Sequence, residues 1–314
     1  MVKGFLVFIF LLFVHFVIGQ ALIPNTFISP VTYEMKLAGT FGELRSNHFH
    51  AGIDIKSPNG QEGSPIVAIE DGFVSRLAVK PRGYGKAIYL DHPSGHTSVY
   101  GHLQKFVPRL AEFAKQKQYE LESFQVDISI NSDSLFFNKG DTIGFLGNTG
   151  SSAGPHLHFE IRNTKTEVPI NPLLFGYNVK DSRKPFVRDL RAYLLDKEHH
   201  SFNQQKIDLR KTKEGYYTSA EDTVNIGAWR TSLACYTLDQ MNGAPNRNGV
   251  FAISLYVDDT IRFHFTMDSI PFDKSRYLNA HLDYAAFKKN RKQRREGHPN
   301  INLYHRSPFH FSMN

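Results

Sequence analysis

The sequence predicts a mainly β protein: an antiparallel β-sheet domain with a helical insertion, followed by a small β-sandwich-like C-terminal domain. Three observations carry this. From about 41 to 175, short apolar runs alternate with Gly, Asp and Asn turns, the pattern of antiparallel strands. Residues 104–123 break that pattern, because Leu110, Ala111, Ala114 and Leu121 stand among Lys, Gln and Glu at helical spacing. From about 179 to 285 a second β-rich stretch follows, and the pattern of several short strands separated by turns suits a sandwich.

Taken in chain order, residues 1–19 read as a secretory signal peptide. Lys3 gives the positive start and Phe5 to Val14 an apolar run, with Val17 and Gly19 placed for cleavage before Gln20. The run is short of the roughly 20 apolar residues a membrane span needs. No Cys follows the cleavage point, so a lipid anchor is not expected, nor is membrane insertion after cleavage. Residues 20–40, with Pro24 and Pro30, form an extended lead-in. Ile66-Val67-Ala68-Ile69, the turn Glu70-Asp71-Gly72 and Phe73-Val74 give one hairpin signal. Lys86–Leu90 and Thr97–Tyr100 flank Asp91–Gly95 as a second. Pro169, Pro172 and Gly176-Tyr177-Asn178 close the first domain. In the second domain, Phe251–Val257, Asp258-Asp259 and Ile261–Phe265 form its clearest hairpin.

Composition narrows the class. The one cysteine, Cys235, cannot make an internal disulfide, so packing or a metal must stabilise an exported chain; that favours a bacterial envelope. A formal net charge of +7 would draw the protein to an anionic surface such as cell wall. The basic run Lys288-Lys289-Asn290-Arg291-Lys292-Gln293-Arg294-Arg295 supplies much of that excess and reads as a solvated helix face; export argues against nucleic acid as its partner.

The chemistry is concentrated in three histidine segments. In Gly154-Pro155-His156-Leu157-His158-Phe159-Glu160, strand alternation puts His156, His158, Glu160 and Arg162 on one face, and Leu157, Phe159 and Ile161 on the other. The apolar face belongs in a core, so the polar one looks into a cleft or solvent. Two imidazoles then converge on one place, and imidazole is a common zinc ligand. Asn47-His48-Phe49-His50-Ala51-Gly52-Ile53-Asp54 sets His50 and Asp54 four apart on a shared face, with Gly52 permitting a close backbone path. A His, a carboxylate and a second His make a three-ligand zinc site with an open fourth position, the catalytic arrangement. In the third segment, His96, Ser98, Tyr100 and His102 share a face and His102 falls at the strand end, near loops and clefts. Asp71 and Asp141 sit in turns, where Asp caps backbone.

In combination, the order His-x-x-x-Asp, Tyr100-Gly101-His102-Leu103, Gly147-Asn148-Thr149-Gly150 and Pro155-His156-Leu157-His158-Phe159-Glu160 resembles the lysostaphin/LytM-type zinc metalloendopeptidases. Phe41-Gly42, Arg45, Pro65–Ala68, Asp71–Val74 and Gly144–Leu146 match in the flanks, and the resemblance covers roughly residues 40–175. It implies a zinc endopeptidase domain at 41–178, with the helical insertion at about 104–123, and a β-rich C-terminal domain at 179–314. It makes His50, Asp54 and His158 the zinc ligands, and His102 and His156 the two metal-free catalytic histidines. His48, on the same alternating face as His50, is the nearest competitor, but only His50 has the right spacing to Asp54.

The resemblance further implies hydrolysis of peptidoglycan peptide cross-links by an exported enzyme of the periplasm, cell envelope or extracellular space. The insertion and C-terminal domain resemble envelope enzymes of Bacteroidetes-type bacteria, which favours a D-Ala to diaminopimelate cross-link. Longer relatives of that kind run past the point where this chain stops, which implies that Asn314 is a truncated end and the second domain incomplete. A non-catalytic wall-binding or hydrolase-activating module and a peptidoglycan amidase are the alternative readings; modules of the first kind usually lack some ligands, and this chain keeps all five histidine and aspartate positions.

Overall fold

The computed structural model describes residues 27–45, 47–131, 134–281 and 283, plus the backbone of strands at 304–306 and 311–312. The signal peptide at 1–19, the cleavage point before Gln20 and the basic run 288–295 lie outside the described residues.

The first half of the chain contains β1 (Leu37–Gly39), β2 (Ile53–Lys56), β3 (Pro65–Val67), β4 (Gly72–Val79), β5 (Lys86–Asp91), β6 (His96–Gly101) and β7 (Lys105–Phe106). After helix α1 (Pro108–Glu120) come β8 (Val126–Ser129), β9 (Phe136–Phe137), β10 (Thr142–Phe145), β11 (His156–Asn163) and β12 (Pro169–Ile170). Antiparallel pairing gives a large sheet in the order β1-β2-β11-β6-β5-β4-β8, with β12 beside β11 and β9 beside β4. A smaller sheet, β3-β10-β7, packs over it.

The core between the two sheets follows from period-two alternation. Leu157, Phe159 and Ile161 of β11, Ile53 and Ile55 of β2, Ile88 and Leu90 of β5 and Tyr100 of β6 are fully buried and meet Ile66, Ile143 and Phe106 of the smaller sheet. Each such side chain contributes on the order of 1.5–3 kcal/mol on burial. The expected hairpin across 66–74 does not form. Ile66 pairs with Gly144 in the smaller sheet, whereas β4 pairs with β5, β8 and β9. The Glu70-Asp71-Gly72 turn instead carries the chain from one layer to the other. The cause is Ile66 and Ile69, both buried in the shared core, with the Ile69 N–H donating to the Tyr100 hydroxyl at 3.1 Å. The Lys86–Leu90/Thr97–Tyr100 hairpin forms as expected, as β5 against β6.

In the insertion, a two-residue strand precedes the helix. α1 starts on Pro108 at its first turn, where the missing N–H costs nothing, and buries only Leu110 and Ala114. Leu121, which the spacing placed on the apolar face, caps the helix end and is exposed.

Beyond residue 179, β13 (Phe186–Leu195) pairs with β14 (Ser201–Lys206) and β17 (Arg230–Leu238), while β15 (Leu209–Lys211) pairs with β16 (Tyr217–Ser219). β18 (Ala252–Val257) and β19 (Thr260–Thr266) form the expected hairpin, with Asp258 and Asp259 at φ 49° and 59°, the left-handed pair of a tight reversal. β20 (Tyr304–Arg306) and β21 (Phe311–Ser312) pair with β17. Leu190, Ala192 and Leu233 of the β13–β17 face meet Leu255 and Phe263 of the hairpin, so this part is also two-layered. The described chain is thus mostly antiparallel sheet with one substantial helix. Met241, Met267 and Leu278 leave this part to enter the core of the first.

Gly52 sits where the loop before β2 crosses β11. A Cβ there would collide with the Phe159 carbonyl and lie 2.8 Å from Glu160 Cγ. Gly52→Ala is therefore expected to destabilise the fold by about 1–3 kcal/mol, the usual cost of overpacking. Thermal unfolding checks this; an unchanged melting temperature contradicts the close approach.

Candidate metal centre

The register of the large sheet assembles the site. On β11, His158 lies opposite Asp54 of β2 on one side and Gly101 of β6 on the other. His50 comes from the loop before β2 and is pinned there by its backbone: its N–H donates to the Glu43 carbonyl and its carbonyl accepts from the Gly42 N–H, both at 2.8 Å. His50 Nε2, Asp54 Oδ1 and His158 Nδ1 form a triangle, each pair 3.0 Å apart. All three residues are buried.

Each donor atom has its orientation fixed from behind. His50 Nδ1 lies 2.8 Å from the Thr40 carbonyl. A carbonyl only accepts, so Nδ1 carries the hydrogen and the Nε2 lone pair points inward. His158 Nε2 lies 2.8 Å from Glu160 Oε1, so Nδ1 faces the triangle. Asp54 Oδ2 accepts from Arg45 Nη2 at 2.8 Å, leaving Oδ1 for the centre. Three lone pairs at this separation repel unless a positive charge sits among them. Electrostatics agree. Burial opposes a charge on His158, but hydrogen bonds to Asp54 and Glu160 outweigh it and lift the ring to about 9. Burial likewise opposes the Asp54 charge, yet His50, His156 and His158 hold its carboxyl well below the usual range. A bound cation would take the place of that extra proton. Two imidazoles and a carboxylate suit zinc, and the 3.0 Å separations approach the roughly 3.3 Å implied by tetrahedral bonds of about 2.0–2.1 Å. The donor set fits the metal.

Behind His158 the polar face of β11 continues inward, not into a cleft or solvent as the alternation suggested. Glu160 is fully buried and Arg162 nearly so. Arg162 forks onto Glu160 Oε2 through Nε at 2.7 Å and Nη2 at 2.6 Å. The Tyr84 hydroxyl donates to Glu160 Oε1, and its ring stacks on His158 with centroids 4.9 Å apart. Arg162, with His158 and Tyr84, keeps Glu160 ionised at about 2 in spite of burial. Covered by Tyr84 and Tyr89, this face is a buried charge chain. Spacing and motif alone give no role to Thr40, Tyr84, Glu160 or Arg162, yet the run His156-His158-Glu160-Arg162 holds a signal, since a ligating His needs a partner for its second nitrogen.

His102 and His156 stand beside the triangle, their ring centroids 4.8 Å apart. His102 does not share the Tyr100 face. Its φ of 61° breaks the alternation after β6 and turns the ring to within 5.8 Å of His158, while Tyr100 stays in the core. Such a conformation costs a non-glycine residue on the order of 1 kcal/mol or more. The His102 N–H donates to the Tyr84 carbonyl and its Nδ1–H to the Thr149 carbonyl, both at 2.8 Å. Its Nε2 is thus the lone-pair nitrogen. Burial, then the neighbouring His158 and His156, push His102 down to about 4. His156 donates Nδ1–H to the Gly154 carbonyl at 2.8 Å, and its Nε2 lies 3.5 Å from Asp54 Oδ1. His48 is exposed and contacts Asn47 instead. Asp71 and Asp141 accept backbone N–H groups of Lys139 and Asn138, as caps.

Residues 48–119 and 127–172 match the model described as Peptidase family M23. The chain is 31% identical over 151 residues to the "DD-carboxypeptidase/endopeptidase Mpg" of Neisseria meningitidis serogroup B, covering 46% of this chain and 28% of that protein. It is 32% identical over 159 residues to the "Peptidoglycan DD-endopeptidase ShyC" of Vibrio cholerae, covering 48% of this chain and 30% of that one. The chain thus spans less than a third of these curated relatives. Among solved structures, the catalytic domain of lysostaphin from Staphylococcus simulans aligns at 24% identity and TM-score 0.33, over 45% of this chain and 91% of that one.

Because burial and neighbouring rings both lower its proton affinity, His102 is expected to stay neutral, protonated on Nδ1, from about pH 5 to 8. Ring-nitrogen NMR checks this. A midpoint at the ordinary value of about 6.5 contradicts it.

Proposed function

The chain carries a domain of peptidase family M23, and from that premise we propose that it is an exported zinc endopeptidase hydrolysing the peptide cross-links of bacterial peptidoglycan. The observation that supports this most is the convergence of His50 Nε2, Asp54 Oδ1 and His158 Nδ1, with two further histidines beside them that are not part of the triangle. The names of the relatives, a DD-carboxypeptidase/endopeptidase and a peptidoglycan DD-endopeptidase, support a wall peptide as substrate. A direct D-Ala to diaminopimelate bond fits those names best. Export is supported by the apolar start of the sequence. Among the described residues, no helix is long and apolar enough to cross a membrane.

When bound by His50, Asp54 and His158, zinc supplies Lewis-acid chemistry, polarising a carbonyl and acidifying water. The chain's own residues divide the proton work. His102, held neutral and anchored through Nδ1, offers Nε2 as general base for the attacking water. The same nitrogen then returns the proton to the leaving amine. His156 Nε2 faces the Asp54 carboxylate, and in the imidazolium form, with Nδ1–H still on the Gly154 carbonyl, it carries a hydrogen that can donate to the oxygen on which negative charge develops. The Thr40 carbonyl, Arg45 and Glu160 keep the three ligands aimed inward.

His50→Ala, Asp54→Ala and His158→Ala are each expected to lose both zinc and activity. Metal analysis checks the first, and clearing of purified wall checks the second. Stoichiometric zinc in any of the three removes that ligand from the set. His102→Ala and His156→Ala are expected to keep zinc and lose about 10²–10⁴-fold in turnover, the usual worth of general acid–base and oxyanion help. Mass spectrometry of the released muropeptides identifies the cleaved bond. Wall clearing that survives a chelator contradicts the proposal.

A further inference from the structure

The segment that follows β19, residues 267–278, lies across the first half of the chain and touches the supports of two proposed ligands. It is tied down beside β11: the Asn171 N–H donates to the Asp268 carbonyl at 2.6 Å, Asn171 Nδ2 to the Met267 carbonyl at 2.9 Å, and the Ile270 N–H to the Pro169 carbonyl at 3.2 Å. Two of its side chains then reach inward. The Phe272 ring lies 4.7 Å from the centre of the Arg162 guanidinium, and the Tyr89 ring 5.4 Å from it. From Arg162 the chain of contacts runs to Glu160 and on to His158 Nε2. Ser275 Oγ accepts the Phe49 N–H at 3.0 Å, one residue before His50. Both Ser275 and Phe49 are buried.

These contacts differ from ordinary domain packing in what they act on. Phe272, itself 44% exposed, packs over Arg162, a residue that is 5% exposed. Shielding from water strengthens the Arg162–Glu160 ion pair and fixes the carboxylate that orients the His158 ring. Ser275 satisfies a buried N–H in the short loop whose path sets where His50 Nε2 points; without it that loop would carry an unpaired donor.

We infer that residues 267–278 form a strap that positions the metal ligands, with Phe272 acting on His158 through Arg162 and Glu160, and Ser275 acting on His50 through the Phe49 backbone. This rests on the zinc reading above. The strap links the C-terminal β-rich part to the zinc affinity of the first part, and a displacement of that part would loosen the site.

The test uses the full chain. Zinc dissociation constants are measured by competition with a chromophoric chelator, and melting temperatures on the zinc-free protein. Phe272→Ala and Ser275→Ala are each expected to weaken zinc about 3- to 10-fold, below the 10- to 100-fold typical of a ligand's direct partner. Phe272→Tyr and Ser275→Thr, which keep the ring and the hydroxyl, are expected to restore wild-type affinity. Constants within about twofold of wild type for both alanine variants, with only the zinc-free melting temperature lowered, would make the segment plain packing and overturn the inference. Failure of the wild-type chain to take up zinc would instead overturn the metal reading and the strap with it, and the wild-type titration alone distinguishes that case.

Discussion

Two imidazole nitrogens and a carboxylate oxygen, each 3.0 Å from the others and each with its lone pair turned inward, cannot rest together without a positive charge. That constraint organises the surrounding fold. The β2–β11 register puts Asp54 opposite His158, and the loop pinned by Gly42 and Glu43 brings His50 to the same point. Behind each donor stands a group that fixes its orientation: a carbonyl for His50, a guanidinium for Asp54, a carboxylate for His158. A site this buried tolerates polar groups only when they are paired, and here nearly every pairing also aims a donor.

The same pairing holds the two histidines beside the triangle. His102 and His156 both donate Nδ1–H to a backbone carbonyl, so neither ring is free to flip. The two differ in what faces Nε2. His102 accepts a left-handed backbone to present a lone pair, whereas His156 turns toward Asp54. That difference supports the proposed division between base and hydrogen-bond donor, on which residue types and spacing hold no information.

Much of the site was legible in the sequence because strand alternation and motif order are local. Leu157, Phe159 and Ile161 announced a core face, and His156 and His158 the opposite one. The β5–β6 and β18–β19 hairpins were equally local, each set by a short polar turn. What alternation could not supply was the third dimension. The turn at Glu70–Gly72 reads as a hairpin until Ile66 and Ile69 are seen to share a core between two layers. Glu160 and Arg162 read as solvent-facing until Tyr84, Tyr89 and Phe272 are seen to cover them. Phe272 and Ser275 lie more than a hundred residues beyond Arg162 and Phe49, which they contact, outside the reach of any local pattern.

Anomalous diffraction recorded above and below the zinc absorption edge, on crystals of the purified chain, tests the central claim most directly. One zinc peak bonded to His50 Nε2, Asp54 Oδ1 and His158 Nδ1 is expected, with His102 and His156 outside bonding distance. Zinc bound through His102, His156 or His48 in place of any of the three, or no zinc peak from zinc-supplemented crystals, would contradict it.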